Sequence, residues 1–240
     1  MKASPKINIF LHSSEVMHEV ETKSVDLVLT SPPYNINTSY GGYEDELDIE
    51  SYMQTISKII GECSRVIKDN GLVAFNIPEF VKVNNHIYFY PKLYEDMFMK
   101  HGLYRKYVNF WIKVNDEGFI DPSNRWDSEY KAQTPNLHSV TEWIMVMGKS
   151  DAPPSPSDKN SGDIIGIKRN ADKTHHPALW PISLPASIIE KYTSPLQTVL
   201  DPFMGIGTTG IACRNLSRHF TGYEVSSEYY ELAKKNLLDT

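Results

Sequence analysis

The sequence predicts an open α/β fold, and three observations carry that prediction. Short apolar runs, Val25-Asp26-Leu27-Val28-Leu29 and Leu72-Val73-Ala74-Phe75-Asn76-Ile77 among them, read as buried strands. Segments with helical spacing of apolar residues separate them. Two strand ends run into stiff or glycine-rich turns, Thr30-Ser31-Pro32-Pro33-Tyr34-Asn35 and Asp201-Pro202-Phe203-Met204-Gly205-Ile206-Gly207. The carboxyl ends of strands are where open α/β sheets bind ligands. The chain of 240 residues suffices for one domain with a full core, and residues 1–240 are read as a single domain.

Taken in order, Lys6-Ile7-Asn8-Ile9-Phe10-Leu11 is the first strand, His12-Ser13-Ser14 breaks it, and Glu15 to Glu21 suits a short helix. The Val25–Leu29 strand closes on a proline pair that cannot continue a ladder. Asn35 to Tyr43 is polar and glycine-containing, a loop over that pair. Asp48 caps a helix to about Lys68, with Met53, Ile56, Ile60, Cys63 and Ile67 on one apolar face. Asp69-Asn70-Gly71 ends it, Gly71 supplying a left-handed C-terminal turn. After the Leu72–Ile77 strand, a helix from Pro91 stops at Gly102.

Two alternating stretches follow. Val108, Phe110, Ile112 and Val114 share a face in the first; in the second, Val140, Ile144 and Val146 oppose Trp143, Met145 and Met147. Late strands of this kind often make an antiparallel edge. Between them, Asn115 to Asn136 is a long irregular segment containing Arg125-Trp126. Ser150 to Lys173 has the composition of an exposed loop. Pro185 opens a helix through Tyr192, Thr198-Val199-Leu200 is a strand, and Thr208 to Leu216 is a helix. His219 to Tyr223 is a strand ending at Glu224, and Tyr230, Ala233 and Leu237 mark the last helix.

Hydrophobic residues make up 40% of the chain and charged residues 22%, as in ordinary soluble domains. No run approaches the roughly 18 apolar residues of a membrane span, and no long apolar region follows the N-terminal Met1–Lys6 as in a signal peptide. Cys63 and Cys213 lie in helical apolar patterns and read as reduced core residues of a cytoplasmic protein. The net charge of −6 argues mildly against a polyanionic partner, although a local basic face can coexist with an acidic remainder.

Chemistry concentrates in the two turns. The proline pair fixes two φ angles and removes two N–H donors, leaving carbonyls able to accept, and Tyr34 adds a flat apolar face. Such a wall suits a flat ring bearing an amino group. Taken alone, Pro-Pro-Tyr does no more than turn a chain out of a strand. The second turn changes that weighing. Gly205 and Gly207 permit a tight turn and close backbone approach by a ligand, and Gly210 follows. Glu224 ends the next strand, about the spacing after Asp201 at which an acid meets a ribose in dinucleotide folds. An NAD enzyme fits poorly, because no second mononucleotide half follows before Thr240.

Asp201-Pro202-Phe203-Met204-Gly205-Ile206-Gly207-Thr208-Thr209 resembles the cofactor motif of S-adenosylmethionine-dependent DNA amino-methyltransferases, and Ser31-Pro32-Pro33-Tyr34 resembles their catalytic motif. The catalytic motif comes first, as in the permuted group called beta class. The resemblance extends to His176-Pro177-Ala178-Leu179-Trp180-Pro181-Ile182-Ser183-Leu184-Pro185, the segment beside the methionine part of the cofactor, and to Arg65-Val66-Ile67-Lys68-Asp69-Asn70-Gly71. It covers about residues 7–78 and 140–238.

That resemblance implies a doubly wound, mostly parallel seven-stranded sheet of the Rossmann-like methyltransferase type. Lys6–Leu11 would be the third strand of the conventional order, and the Val199 and Phe220 strands the first and second. It implies S-adenosyl-L-methionine as cofactor, held by Ser31, Pro177, Asp201, Phe203, Gly205, Gly207, Thr208 and Glu224. Phe203 would lie against it, Glu224 would accept from the ribose hydroxyls, and Asp201 would organise the loop. The reaction implied is direct methyl transfer to the exocyclic nitrogen of a base flipped out of double-stranded DNA, with no metal and no covalent intermediate. Ser31, Pro32, Pro33 and Tyr34 would be catalytic, the Ser31 hydroxyl and Pro32 carbonyl accepting from the amine and Tyr34 stacking on the base.

In that family Asp at the first motif position mostly accompanies adenine N6 transfer and Ser mostly cytosine N4 transfer, so Ser31 points to N4 of cytosine. Adenine N6 transfer, an inactive DNA-binding or partner subunit, and an RNA or protein amide methyltransferase are the alternatives. One departure stands out: family members often carry an acid where this chain has His12-Ser13-Ser14. Target recognition would fall to about residues 150–173, whose only basic cluster is Lys168, Arg169 and Lys173. So short a region suggests a short target sequence or a homodimer. His175-His176 lacks acidic or cysteine partners at ligand spacing, so no metal is expected.

Overall fold

The most apolar runs of the chain become the middle of one sheet. The computed structural model describes residues 4–36, 46–84, 86–115, 117–120, 141–150, 164–168 and 180–238. In chain order the elements are β1 (Ile7–Leu11), β2 (Val25–Thr30), α1 (Ile49–Val66), β3 (Ile67–Pro78), β4 (Phe80–Val83), β5 (His86–Phe89), α2 (Tyr90–Lys100), β6 (Tyr104–Val114), β7 (Thr141–Gly148), β8 (Ile164–Lys168), α3 (Ser183–Tyr192), β9 (Thr198–Asp201), α4 (Thr208–Asn215), β10 (His219–Glu224) and α5 (Ser227–Leu238). Eight strands form one sheet in the order β1-β10-β9-β2-β3-β7-β6-β8, with β4 and β5 as a separate hairpin.

Strands β1, β10, β9, β2 and β3 pair in parallel, β7 is antiparallel to β3 and β6, and β8 is parallel to β6. From the β9–β2 pair the chain winds outward both ways, to β10 and β1 on one side and to β3 on the other. A crevice therefore opens at the carboxyl ends of β9 and β2, where the order reverses. The two expected turns leave those two strands.

Alternation along the strands feeds two cores. Val28, Val73, Phe75, Ile77, Met145 and Met147 pack with the buried face of α1 and α2. Leu27, Leu29, Ala74, Ile144, Val146 and Val199 pack with α3, α4 and α5 on the other side. In α1, Asp48 accepts from the backbone N–H groups of Glu50 (3.0 Å) and Ser51 (2.9 Å), the expected cap. Gly102 takes φ +70° just beyond α2, as a helix stop does. No helix among the described residues is long and apolar enough to cross a membrane, and Cys63 and Cys213 are buried and unbridged.

Several expectations are corrected. The Glu15–Glu21 segment is a run of turns, not a helix. The Arg65 guanidinium takes the carbonyls of Met17 (2.8 Å) and Val20 (3.0 Å), and Glu62 accepts the Met17 N–H (2.7 Å), so side chains satisfy backbone groups that a helix would pair internally. Gly71 lies inside β3 and has no positive φ. The β2–β3 register passes from Val25↔Ile67 to Leu27↔Leu72, a bulge in which a Cβ on Gly71 would stand 3.0 Å from the Val25 carbonyl oxygen.

In β6 the buried residues are Asn109 and Trp111, opposite to the expected Val108–Val114 face. That side meets α3: Asn109 Nδ2 donates to the Tyr192 hydroxyl at 2.9 Å, and Trp111 joins the core beneath α3 while its indole donates to the Ile167 carbonyl of the neighbouring strand β8 at 2.9 Å. Residues 164–168, expected within an exposed loop, form β8, the eighth strand of a sheet expected to have seven, with Ile165 and Ile167 turned to the core.

Candidate active site

The two turns are joined by one buried hydrogen bond. Thr30, the last residue of β2, donates its hydroxyl to Asp201 Oδ1 at 2.6 Å. Asp201 ends β9 and accepts twice more, from the Thr209 hydroxyl at 2.6 Å and the Phe203 N–H at 3.0 Å. It thus ties the catalytic turn, its own turn and the first turn of α4 together. Burial pushes its carboxyl up to about 6, against the pull of those three donors.

Between Asp201 and α4 the backbone goes left-handed at Gly205 (φ +53°) and Gly207 (φ +89°). A Cβ on Gly207 would stand 2.9 Å from Leu237 Cδ1. Glu224, at the end of β10, receives the Gly205 N–H on Oε2 (2.9 Å) and the Val225 and Ser226 N–H groups on Oε1 (2.9 and 2.8 Å). Burial raises its pKa, partly offset by those donors. Gly205 and Glu224 are therefore joined, in a turn that carries Phe203 and leads into Thr208, the first residue of α4. Ser14, in the segment that departs from the expected acid, is buried and donates to the Pro202 carbonyl at 2.9 Å.

The proline wall is braced from behind. The Tyr52 hydroxyl donates to the Pro33 carbonyl at 2.8 Å and the Tyr90 hydroxyl to the Tyr34 carbonyl at 3.0 Å. Asn35, at φ +58°, clamps Leu47 through both its N–H and its carbonyl. The Pro33 carbonyl is therefore engaged by Tyr52, whereas the Pro32 carbonyl is the one expected to accept from the amine.

Three residues that sequence reasoning missed complete the wall. Asn76 lies near the end of β3. Glu142 opens β7, which runs antiparallel and so starts at the site's end of the sheet. Tyr34 Oη lies 2.8 Å from Ser31 Oγ, donates to Glu142 Oε2 at 3.0 Å, and accepts from Asn76 Nδ2 at 2.9 Å. Asn76 Nδ2 also donates to Glu142 Oε2. Lys113, near the end of β6, pairs with Glu142 Oε1 at 2.6 Å. Burial works against the charged Glu142, but Lys113 outweighs it and, with Asn76 and Tyr34, holds the carboxyl below its ordinary value. Among the described residues, Asn76 Oδ1 is the one buried side-chain polar atom without a hydrogen-bond partner. Leaving it so costs about 1–3 kcal/mol, and turning the amide over would set two acceptors against each other.

A signal for these residues was present. Asn76 interrupts an otherwise apolar run, and Glu142 sits at a core-facing register of another. Lys168 is exposed at the end of β8, at the sheet edge, away from β2 and β9. Pro177, Arg169, Lys173, Arg125-Trp126 and His175-His176 lie outside the described residues, and no metal-holding cluster occurs among the described ones.

Residues 25–235 match the family of N6 and N4 methyltransferases described as DNA methylase. The chain belongs to that family. Among its relatives, the type II methyltransferase M.BglII of Bacillus subtilis is 29% identical over 90% of this chain, which spans 64% of that enzyme's length. M.HpaI of Haemophilus parainfluenzae is 27% identical over 93% of the chain and 71% of the enzyme. The DNA adenine methyltransferase YhdJ of Escherichia coli is 25% identical over 92% and 79%. The fold of this chain is that of the PvuII cytosine-N4-specific DNA methyltransferase, with a TM-score of 0.73 over 100% of this chain and 90% of that one at 18% identity. It is also that of M1.HpyAVI in complex with SAM, with a TM-score of 0.64 over 97% and 99% at 24% identity.

Proposed function

We propose that this DNA methylase transfers a methyl group from S-adenosyl-L-methionine to the exocyclic N4 of a cytosine flipped out of double-stranded DNA. The observation that carries the reading is the Thr30–Asp201 hydrogen bond, which makes the Ser-Pro-Pro-Tyr turn and the glycine-rich turn walls of one crevice. Ser31 as the first motif residue favours cytosine over adenine.

The donor set suits the cofactor. Glu224 keeps acceptor capacity for ribose hydroxyls beyond its three backbone donors, a carboxylate offering about four lone-pair sites. The left-handed Gly205 and Gly207 allow close backbone approach, with Phe203 beside them and Pro177 assigned to the methionine part. Asp201, with its three donors already in place, organises the turn. When bound, S-adenosyl-L-methionine supplies an electrophilic methyl on a sulfonium.

The rest is the protein's work. An exocyclic amine has its lone pair delocalised into the ring. Acceptors at Ser31 Oγ and the Pro32 carbonyl draw on its N–H bonds and favour a pyramidal, nucleophilic nitrogen. Tyr34 presents its ring to the base, Pro33 stiffens the wall, and the bracing by Tyr52 and Tyr90 holds the geometry for in-line transfer. In this reading the chain is a single catalytic domain, with residues 150–173 meeting DNA through Lys168, Arg169 and Lys173, and two copies pairing on a site.

Adenine N6 is the second reading, favoured by the similarity to YhdJ, whose name gives adenine as its base. Nucleoside mass spectrometry of DNA from a methylation-free host expressing the chain separates the two. N4-methylcytosine is the expected product. N6-methyladenine would overturn the choice of base, and no methylated base would overturn DNA as the substrate.

A further inference from the structure

The wall holds a chain of hydrogen bonds whose direction matters for the chemistry. A phenol has one hydrogen. Tyr34 gives it to Glu142 Oε2 at 3.0 Å, because an ionised carboxylate can only accept. The Asn76 backbone carbonyl, 3.4 Å from Tyr34 Oη, competes poorly with that shorter, charged acceptor, so Tyr34 Oη accepts from Asn76 Nδ2 at 2.9 Å and from Ser31 Oγ at 2.8 Å. The Ser31 hydrogen is thereby committed to Tyr34; Asn76 Nδ2, whose two hydrogens go to Tyr34 and Glu142, stands 3.5 Å from Ser31 Oγ, and a Ser31 lone pair remains for a ligand.

We propose that the buried Lys113–Glu142 pair sets the direction of the chain Ser31 Oγ–Tyr34 Oη–Glu142 Oε2, and so makes Ser31 an acceptor for the amino group of the substrate base. The inference rests on the amino-methyl transfer proposed above and adds Glu142 to it as a positioning residue, acting through Tyr34. The reason is chemical. A Ser31 hydroxyl that donated to the amine would bind the nitrogen lone pair that must attack the methyl. One that accepts draws on an N–H bond and leaves the lone pair for transfer. A neutral Glu142 could donate, which would allow the chain to reverse. Lys113, 2.6 Å from Oε1, keeps the carboxylate charged, and Asn76 adds a second donor to Oε2. Lys113 is also the reason that glutamine cannot replace the glutamate: its amide oxygen would turn to the ammonium, leaving the NH2 group to donate toward Tyr34.

The test is single-turnover methyl transfer to DNA by the full chain, beside S-adenosyl-L-methionine affinity by calorimetry. Glu142→Gln is expected to slow transfer about tenfold or more and to leave cofactor affinity within about twofold. Tyr34→Phe keeps the ring and removes the chain, so in that background Glu142→Gln should cost nothing further. Because a lone buried lysine threatens folding, Lys113→Met/Glu142→Met supplies a second variant without any buried charge. It should fold and remain as slow as Glu142→Gln. Losses that multiply in the double variant, or a Lys113→Met/Glu142→Met protein at the wild-type rate, would show a structural pair only. An active wild type matched by Glu142→Gln overturns this inference alone. A wild type that transfers to no base overturns the reading beneath it as well.

Discussion

Asp201 is held by three donors, yet burial moves its carboxyl up to about 6. In that range the folded protein keeps a proton that the unfolded chain, with a carboxyl near its ordinary value, releases. The ionised group therefore costs stability at neutral pH, and the cost fades as pH falls through about 6. Asp201→Asn should remove this component, so the stability difference between variant and wild type should change by about 2–3 kcal/mol between pH 7 and pH 4.5. Melting temperatures across that range check it, and parallel curves would refute it. At Gly210 the limit is space: a Cβ would stand 2.8 Å from the Phe220 ring and 2.9 Å from Leu237. Gly210→Ala should destabilise by about 1–3 kcal/mol despite alanine's better helix propensity, as read by urea denaturation.

The turns between β1 and β2 have no regular structure of their own, and Arg65 of α1 organises them. Its guanidinium is shared between Glu62 and the carbonyls of Met17 and Val20. Arg65→Ala leaves those carbonyls and the Glu62 carboxylate short of donors and should cost about 2–4 kcal/mol. Amide exchange should rise first in residues 14–22. Exchange rising equally across the sheet would contradict the element-level role. The antiparallel direction of β7 is the other feature at this scale. It places the strand's first residues, not its last, at the crevice, and that is how Glu142 reaches Tyr34. A parallel strand there would have carried Glu142 to the far end of the sheet.

For the whole molecule, the crevice between β9 and β2 joins segments about 170 residues apart in sequence. A ligand bound there clamps both halves of the sheet. S-adenosyl-L-methionine at a hundredfold excess over its Kd should stabilise the fold by about 2.7 kcal/mol, visible as a raised melting temperature. Glu224→Ala should abolish most of that shift while the unliganded protein still melts cooperatively. An undiminished shift would remove Glu224 from the cofactor's partners. The fold had been legible at this scale because strand runs, helical spacing and two turn motifs all agreed on one topology.

What the sequence by itself determined was local: the apolar runs that become β2, β3 and β9, the cap at Asp48, the stop at Gly102, and the two turns. Each follows from neighbouring residues, since propensity, periodicity and the special geometry of Pro and Gly act over a few positions. Tertiary structure alone decided that Gly71 serves a bulge, that side chains of α1 hold the Glu15–Glu21 segment in turns, and that β8 joins the sheet. It alone brought Lys113, Glu142 and Asn76 behind Tyr34. A charged residue in an apolar strand declares only that it needs a partner. The partners here come from three strands and one turn, and the direction of β7, which no local pattern encodes, brings them within hydrogen-bonding distance.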